Sequence, residues 1–475
     1  VSRDGHRDFK DRTMSLQSAL YCFAAALPLV AQSRTMNEIR FITLDPAHFH
    51  AALVQKEMYP GVSPQVSVYA PLGLDLTEHL VRVARFNLRS EAPTAWRLDI
   101  HAEPRYFERM LAERPGNVVV LSGRNREKMD RIKRSLEAGL NVLADKPWTL
   151  DSSGLPLMEQ ALDLADAKGL VAYDIMTERY EVTSMLHREL VNAPDVFGVI
   201  VPGDEQEPGV FMESVHRLMK SVAGVPNLRP AWFFDVGQQG EALADVGTHL
   251  VDLAQWTVFP DQALDYRKDI QVLDGKRWPT VLSKEQWRRV TGQPEFPDYL
   301  ASHVKDSRLE YFCNNFVAYS LRGVHIQLNV LWDFEGPPPN DTYVARFRGT
   351  RSRVEVRQGQ AENFRPEVYV TPNSPALKNE VSAALRRTVK ALQSKFAGLE
   401  VEDLGPEFRL IIPEAHRVGH EAHFAQVTRQ FFEYLGNPKA LPAWEKPGML
   451  AKYYVSTKGV EIARQKDERV ARALK

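Results

Sequence analysis

From residue 39 onward, apolar positions fall into short β-branched runs separated by stretches with helical period. "IRFITL" leads into a predicted helix from about Ala47 to Lys56, "QVSVYA" follows, and "NVVVLSG" precedes the helical "REKMDRIKRSLEAG" and the strand "LNVLAD". Strands and helices alternating at this spacing predict βαβ units and a parallel sheet. The stretch from Pro71 to Glu103 is long for one such unit and is expected to carry its own helix, "LTEHLVRVARFN". "LPLMEQALDLADAKG" then predicts a helix ending at Gly169, and "LVAYDIM" a further buried strand.

After Thr177 the pattern changes. One helix, "EVTSMLHRELV", gives way to strand-like runs: "FGVIVPG", "VAYSL", "VHIQLNVLWDF", "YVARFRG" and "RVEVRQ". Their alternating polarity, with little helix between them, predicts a largely antiparallel sheet with one open face. Amphipathic helices return in "EAHFAQVTRQFFEYL" and "GMLAKYYVSTKGVEIARQ". The expected fold is therefore α/β followed by α+β.

Composition adds exclusions rather than a function. The 60 basic and 61 acidic side chains give a formal charge of -1, which favours neither nucleic acid nor a phosphate-rich membrane surface. A small neutral partner fits better. The apolar run from about Ala19 to Val30 is shorter than the about 20 residues a membrane-spanning helix needs. Basic residues precede it and small or polar ones follow, the order of a secretory signal, so residues 1–36 are expected to be a leader, either a signal peptide or a disordered extension. Export would place the mature chain in the periplasm; otherwise it is cytoplasmic. Of the two cysteines, Cys22 lies in this leader and Cys313 outside it, so the mature chain could form no internal disulfide.

Three distant stretches suggest a site. The strand "LNVLAD" ends at Asp145, Lys146 and Pro147, and parallel sheets bind ligands beyond the carboxyl ends of their strands. In "GEALADVGTHLVDLAQW", Asp245 and His249 are one helical turn apart on one face, so the carboxylate could orient the ring or hold a hydroxyl while the imidazole exchanges a proton. "DIMTERY" ends a strand with the polar Thr177, Glu178, Arg179 and Tyr180. His48 and His50, and the set His416, His420 and His423 on one predicted helical face, raise a metal reading. For the latter set, without an HExxH motif or nearby cysteine, packed or surface histidines are the preferred reading, and no metal ligand is assigned.

These stretches resemble the glucose-fructose oxidoreductase and inositol dehydrogenase (Gfo/Idh/MocA) family over most of residues 39 to 465. "EAGLNVLADKP" resembles its "EAGKHVLCEKP" signature, with Asp145 in place of Glu. "GEALADVGTH" resembles GGGxxxDxxxH, with Glu241 and Ala242 replacing two glycines. "LSGRN" sits where members carry a "TPN"-like turn, and "FRGTRSRVEV" resembles a hairpin of the carboxyl-terminal sheet.

The resemblance implies a Rossmann-like nucleotide-binding domain over residues 37–172 and a substrate and dimerisation domain over residues 173–475, with NAD or NADP held between them. It also implies a homo-oligomer built through the open sheet. By the same carry-over, Lys146 would position nicotinamide and stabilise a developing alkoxide, His249 would accept a proton, and Asp245 would support the substrate. Asp45, His48 and Phe49 of the first turn, Ser122, Gly123, Arg124 and Asn125 of the second, Asp145, Pro147 and Trp148 after the lysine strand, and Glu178 would line the cofactor. The implied chemistry is hydride transfer with a sugar, polyol or glycoside hydroxyl. The alternatives are a redox-neutral glycosidase or lyase using the same cofactor, and a non-catalytic carbohydrate-binding protein.

One departure weakens the cofactor expectation. "FITLDPAHFHAAL" has none of the glycines that let a dinucleotide-binding backbone approach a pyrophosphate. Asp45 is expected instead to cap the following helix, with Pro46 as its first residue. The end of "QVSVYA" offers no acid for a ribose hydroxyl, the nearest being Asp75.

Overall fold

The computed structural model describes residues 38–222, 225–226, 228–336 and 341–473. The expected leader lies outside them. The amino-terminal half builds one parallel sheet from β1 (Phe41–Leu44), β2 (Gln65–Ala70), β3 (Arg97–Ala102), β4 (Val118–Leu121), β5 (Asn141–Asp145) and β6 (Ala172–Ile175), in the order β3-β2-β1-β4-β5-β6. The connecting helices are α1 (His50–Val54), α2 (Leu74–Leu88), α3 (Tyr106–Glu113), α4 (Lys128–Glu137) and α5 (Leu155–Lys168). This is the doubly wound order, and its switch point lies between β1 and β4.

β1, β4 and β6 are buried along their whole length, which is why they read as continuous apolar runs. β3 was not expected. It is an edge strand, mostly exposed, so "RLDIHA" carries little apolar signal, and the supposed insert proves to be α2 followed by this strand. The first helix also differs from expectation. It does not start at Ala47 but runs only from His50 to Val54, with Phe49 at its N-cap and no side-chain cap. Asp45 is therefore not a cap.

After α6 (Val182–Val191) and α7 (Pro194–Phe197), the large sheet takes β7 (Val210–Arg217). A small hairpin, β8 (Ser221–Val222) and β9 (Val225–Pro226), and helices α8 (Ala242–Asp245) and α9 (Gly247–Val258) follow. Next come β10 (Ile270–Leu282), α10 (Lys284–Thr291), β11 (Val304–Lys305), β12 (Arg308–Leu321), β13 (Val324–Asp333), β14 (Thr342–Arg348), β15 (Ser352–Gln358) and β16 (Glu367–Pro372). Helix α11 (Lys378–Leu392), strands β17 (Glu400–Asp403) and β18 (Phe408–Ile411), and helices α12 (His420–Gly436) and α13 (Glu445–Ala473) complete the chain.

The large sheet runs β10-β12-β13-β7-β14-β15-β16-β18-β17, with β11 paired to β12. It is antiparallel except where β7 and β13 pair in parallel. Along β13 one face is buried and the other half-exposed in strict alternation, as expected for an open-faced sheet. "FGVIVPG" forms no strand, only isolated bridges at Ile200 and Gly203, because α7 ends at Phe197 and Gly198 turns the chain with φ +81°.

Two packing decisions position the site. α1 is too short to cover its face of the parallel sheet, and α12 returns from the far end of the chain to do so. Phe424, Val427 and Phe431 are buried against the β1, β2 and β6 side, with Phe432 stacked 6.0 Å from Phe41. Each fully buried aromatic there contributes about 1.5–3 kcal/mol. On the other side, α13 crosses β10 where Gly275 faces the Gly459 carbonyl. A Cβ on Gly275 would lie 2.3 Å from that oxygen, so only glycine permits the approach.

Candidate functional site

The crevice opens beyond the carboxyl ends of β1, β4 and β5. At the β1 turn Asp45 has φ +45° and is buried, with its carboxylate accepting from Arg124 at 2.9 Å and from Arg131. The backbone amides there are partly consumed: Asp45 N–H donates to Tyr69 O, Ala47 N–H to Asp45 O and His48 N–H to Ser122 O. A glycine does serve this crossing, but from the opposite loop. A Cβ on Gly123 would lie 2.2 Å from the Asp45 carbonyl. Arg124 also pairs with Asp75 and lies 5.7 Å over the Trp232 ring, while Trp232 donates to Asp75 at 3.1 Å.

Asp145, at the end of β5, is the most heavily contacted group in the crevice. Its Oδ2 faces Nδ1 of His48 at 3.1 Å and of His50 at 3.2 Å and accepts from Ser122 Oγ at 2.7 Å, while Oδ1 accepts from the fully buried Lys128. Burial alone would raise this carboxyl. Lys128 and the two imidazoles over-compensate and hold it well below the usual carboxylate range. His48 and His50 are themselves pushed down, chiefly by burial.

The next residue, Lys146, crosses the crevice to pair with Asp245, which is 99 positions away in sequence. Asp245 closes α8, and His249 sits one turn on in α9, so the predicted carboxylate–imidazole face exists across a slight break at Val246. Burial opposes ionisation of Asp245, but Lys146 lowers it to about 2. His249 is buried, its Nδ1 has no partner among the described residues, and burial followed by the Lys146 charge holds it well below its ordinary value. The Lys146–Asp245 ion pair therefore stands beside an imidazole that burial keeps neutral at pH 7.

The opposite wall comes from α12 and the large sheet. His420, first residue of α12, lies 3.2 Å from Thr177 Oγ1 and 3.7 Å from the Glu178 carboxylate. These side chains keep 44% and 34% of their exposure, so the pair is reached from the crevice. Burial, reinforced by Glu181, lifts Glu178 to about 7. His216 and Lys220 meet at Asp341, at 2.9 and 3.1 Å, with Ser214 Oγ 2.8 Å from His216 Nε2. Lys220 acts electrostatically on both Glu178 and His420, which places it on the same wall.

The remaining candidates have other surroundings. Asn125 joins the second turn to the loop before α8, donating to Gln239 O at 2.9 Å. Trp148 is fully buried, and Pro147 follows a cis peptide bond. Phe49 packs beside His48 and His50. The three carboxyl-terminal histidines do not share a helix: His416 stands in a separate turn, bonded to Ala397 O, and α12 carries only His420 and His423.

Sequence reasoning missed Lys128, Lys220, His216 and Asp341, and did not bring His420 to the crevice. Lys128 had left a signal, since it lies one helical turn before the core residue Ile132 and shares its face. Glu241, where the resembling signature has glycine, is buried and held by Arg277, Arg464 and Asn315, so it ties α8 to β10 and α13.

The family model described as "Putative oxidoreductase C terminal domain" matches residues 186–464. Among solved structures, the chain is similar to a "putative oxidoreductase" from Parabacteroides merdae, with 44% identity and TM-score 0.87 over 90% of this chain and 98% of that one. It shares its fold with GenD2 from gentamicin A biosynthesis, solved in complex with NAD (14% identity, TM-score 0.55, covering 92% and 97%). It likewise shares the fold of KijD10, a 3-ketoreductase from Actinomadura kijaniata solved with NADP and TDP-benzene (14% identity, TM-score 0.52, covering 88% and 96%). No curated protein matches the chain.

Proposed function

The chain belongs to the oxidoreductase C-terminal domain family, and from that premise we propose that it is an NAD(P)-dependent oxidoreductase of the Gfo/Idh/MocA type acting on a carbohydrate or polyol hydroxyl. The observation that carries this reading is the convergence of Lys146, Asp245 and His249 at the carboxyl end of β5. The fit to a nicotinamide is good at this reacting end, where buried His249 Nδ1 lacks a partner among the described residues. At the diphosphate end it is poorer, and Arg124 is the side chain that faces the crevice where glycines would stand. GenD2 and KijD10 were solved with NAD and NADP, which supports the same cofactor class here.

The bound cofactor would supply the hydride acceptor or donor. The protein's own residues position the substrate and handle its proton. His249, neutral and poorly solvated, takes the hydroxyl proton, and the Lys146 ammonium stabilises the negative charge that develops on that oxygen. Asp245 holds the lysine in place and accepts from a neighbouring hydroxyl. The wall charges are paired, Lys146 with Asp245 and Lys220 with Asp341, which suits a neutral sugar better than an anion. The half-exposed outward face of the large sheet, with Phe211, Val215 and Leu331, is the surface through which a homo-oligomer would form.

Mass spectrometry of ligand released from native protein, followed by calorimetry with NAD and NADP, tests the proposal. Absence of any nicotinamide, together with no hydride transfer to a panel of sugars, would remove it. A redox-neutral lyase is the second reading, favoured by the Glu178–His420 pair facing the same crevice, which offers a further proton carrier. Turnover of a glycoside without added cofactor separates it from net oxidation. A non-catalytic carbohydrate-binding protein is excluded by any turnover that His249→Ala abolishes.

A further inference from the structure

The turn that lacks its glycines carries two histidines with only Phe49 between them, and both direct a ring nitrogen at the same carboxylate oxygen. His48 Nδ1 and His50 Nδ1 lie 3.1 and 3.2 Å from Asp145 Oδ2, with ring centroids 3.9 Å apart. Ser122 Oγ donates to that oxygen too, at 2.7 Å. An oxygen with two lone pairs is thus approached by three groups, more than ordinary hydrogen bonding uses well. The same separations have another use. Ligand atoms bound to one zinc-class ion at about 2.0–2.2 Å stand roughly 3.0–3.5 Å from one another.

We propose that His48, His50 and Asp145 form a binding site for a divalent transition-metal ion of the zinc class. The ligand set is two imidazoles and one carboxylate, which suits such ions and leaves at least one coordination position open. Their ligand atoms lie within 4.8 Å of one another. The surroundings are those of a supported site. Lys128 holds the other carboxylate oxygen and leaves only Oδ2 to coordinate, and His48 is fixed through its backbone N–H to Ser122 O at 3.1 Å. The open position faces the crevice on the side of His48, whose side chain is 20% exposed. Water or a substrate oxygen would complete the coordination, one residue from Lys146. The charges of Lys128 and Lys146 oppose a cation, so the ion is held less tightly than in a four-cysteine site.

The test uses untagged full-length protein, stripped with a chelator and free of nucleotide, titrated with cobalt(II) alone. Its outcome is independent of cofactor binding. One cobalt per chain, with visible d–d absorption that zinc displaces, is expected. His48→Asn, which alters the partly exposed ligand, should weaken binding at least tenfold, while His416→Ala leaves it unchanged. Less than about a tenth of an equivalent bound by the wild type overturns the proposal, whatever the variants do. So does unchanged binding in the His48→Ala, His50→Ala double variant.

Discussion

Two buried charge clusters meet on α9, and they differ in how they are closed. In one, Arg179 makes a two-pronged contact with Asp252 at 2.6 and 2.7 Å and reaches Glu445 at 2.7 Å, while Lys452 and Tyr453 hold Asp174 at 2.6 and 2.9 Å. It links β6, α9 and α13, and each of its two cations is held by two of its three carboxylates. In the other, Lys146 and Asp245 pair beside a histidine whose Nδ1 has no partner among the described residues, and the half-exposed Glu178 and His420 look into the same space. Apart from Asp174 Oδ1, which has no hydrogen-bond partner among the described residues, the first cluster has spent its bonding capacity on the fold. The second retains capacity for a ligand.

The sharpest way to break this contrast is to remove one member from each. His249→Ala should lower kcat about 10²–10⁴-fold, the range for loss of a positioned acid–base group. Its stability loss should be smaller than that of breaking a buried ion pair, because the ring's Nδ1 has no partner among the described residues and only packing is given up. Asp252→Ala should do the reverse. It removes the carboxylate that Arg179 grips with two prongs and Lys452 also faces, leaving them Glu445 and Asp174, and should cost about 3–5 kcal/mol in denaturant unfolding, with near-normal activity per folded molecule. Equal stability losses for the two variants would end the distinction.

How much of this was legible in the sequence follows the range of the interactions. Within the parallel sheet the fully buried strands announced themselves, because burial on both faces demands apolar runs; the exposed edge strand β3 had no such requirement and stayed silent. Lys146, Asp245 and His249 were found because each sits at the end or on the face of a local element. The opening turn misled. Asp45 has the chemistry of a helix cap, but Arg124 and Arg131 pull it into ion pairs that only the fold creates. His420 was invisible as a crevice residue for a related reason: it arrives there because α1 is short and a distant helix covers the gap.

A smaller effect separates pairing from titration. Burial raises Glu178 from 4.5 to about 7, so the folded protein keeps this proton over a range where the unfolded chain has lost it. The associated stability is present at acid pH and disappears as pH rises from about 4.5 through about 7. Glu178→Gln cannot ionise. Its melting temperature relative to wild type should therefore be more favourable at pH 8 than at pH 5. A constant difference across that range would mean that the crevice solvates the carboxylate.

The smallest effect tests whether an unpartnered group is enough to mark a chemical site. His79 on α2 is buried with neither ring nitrogen partnered among the described residues, a more complete lack than that of His249. Yet the one charge acting on it is Arg82, none of the crevice groups does so, and burial drives it down to about 3. If reachability by a ligand is what distinguishes His249, then His79→Leu should leave kcat unchanged and stabilise the fold by about 1 kcal/mol by removing unsatisfied polar atoms. The gain should grow as pH falls from about 6.5, where the unfolded wild-type chain takes up a proton that folded His79 refuses. Loss of activity in His79→Leu without loss of stability would show that α2 communicates with the crevice, and the contrast between closed and open clusters would then have to include its amino-terminal turn, where Asp75 meets Arg124.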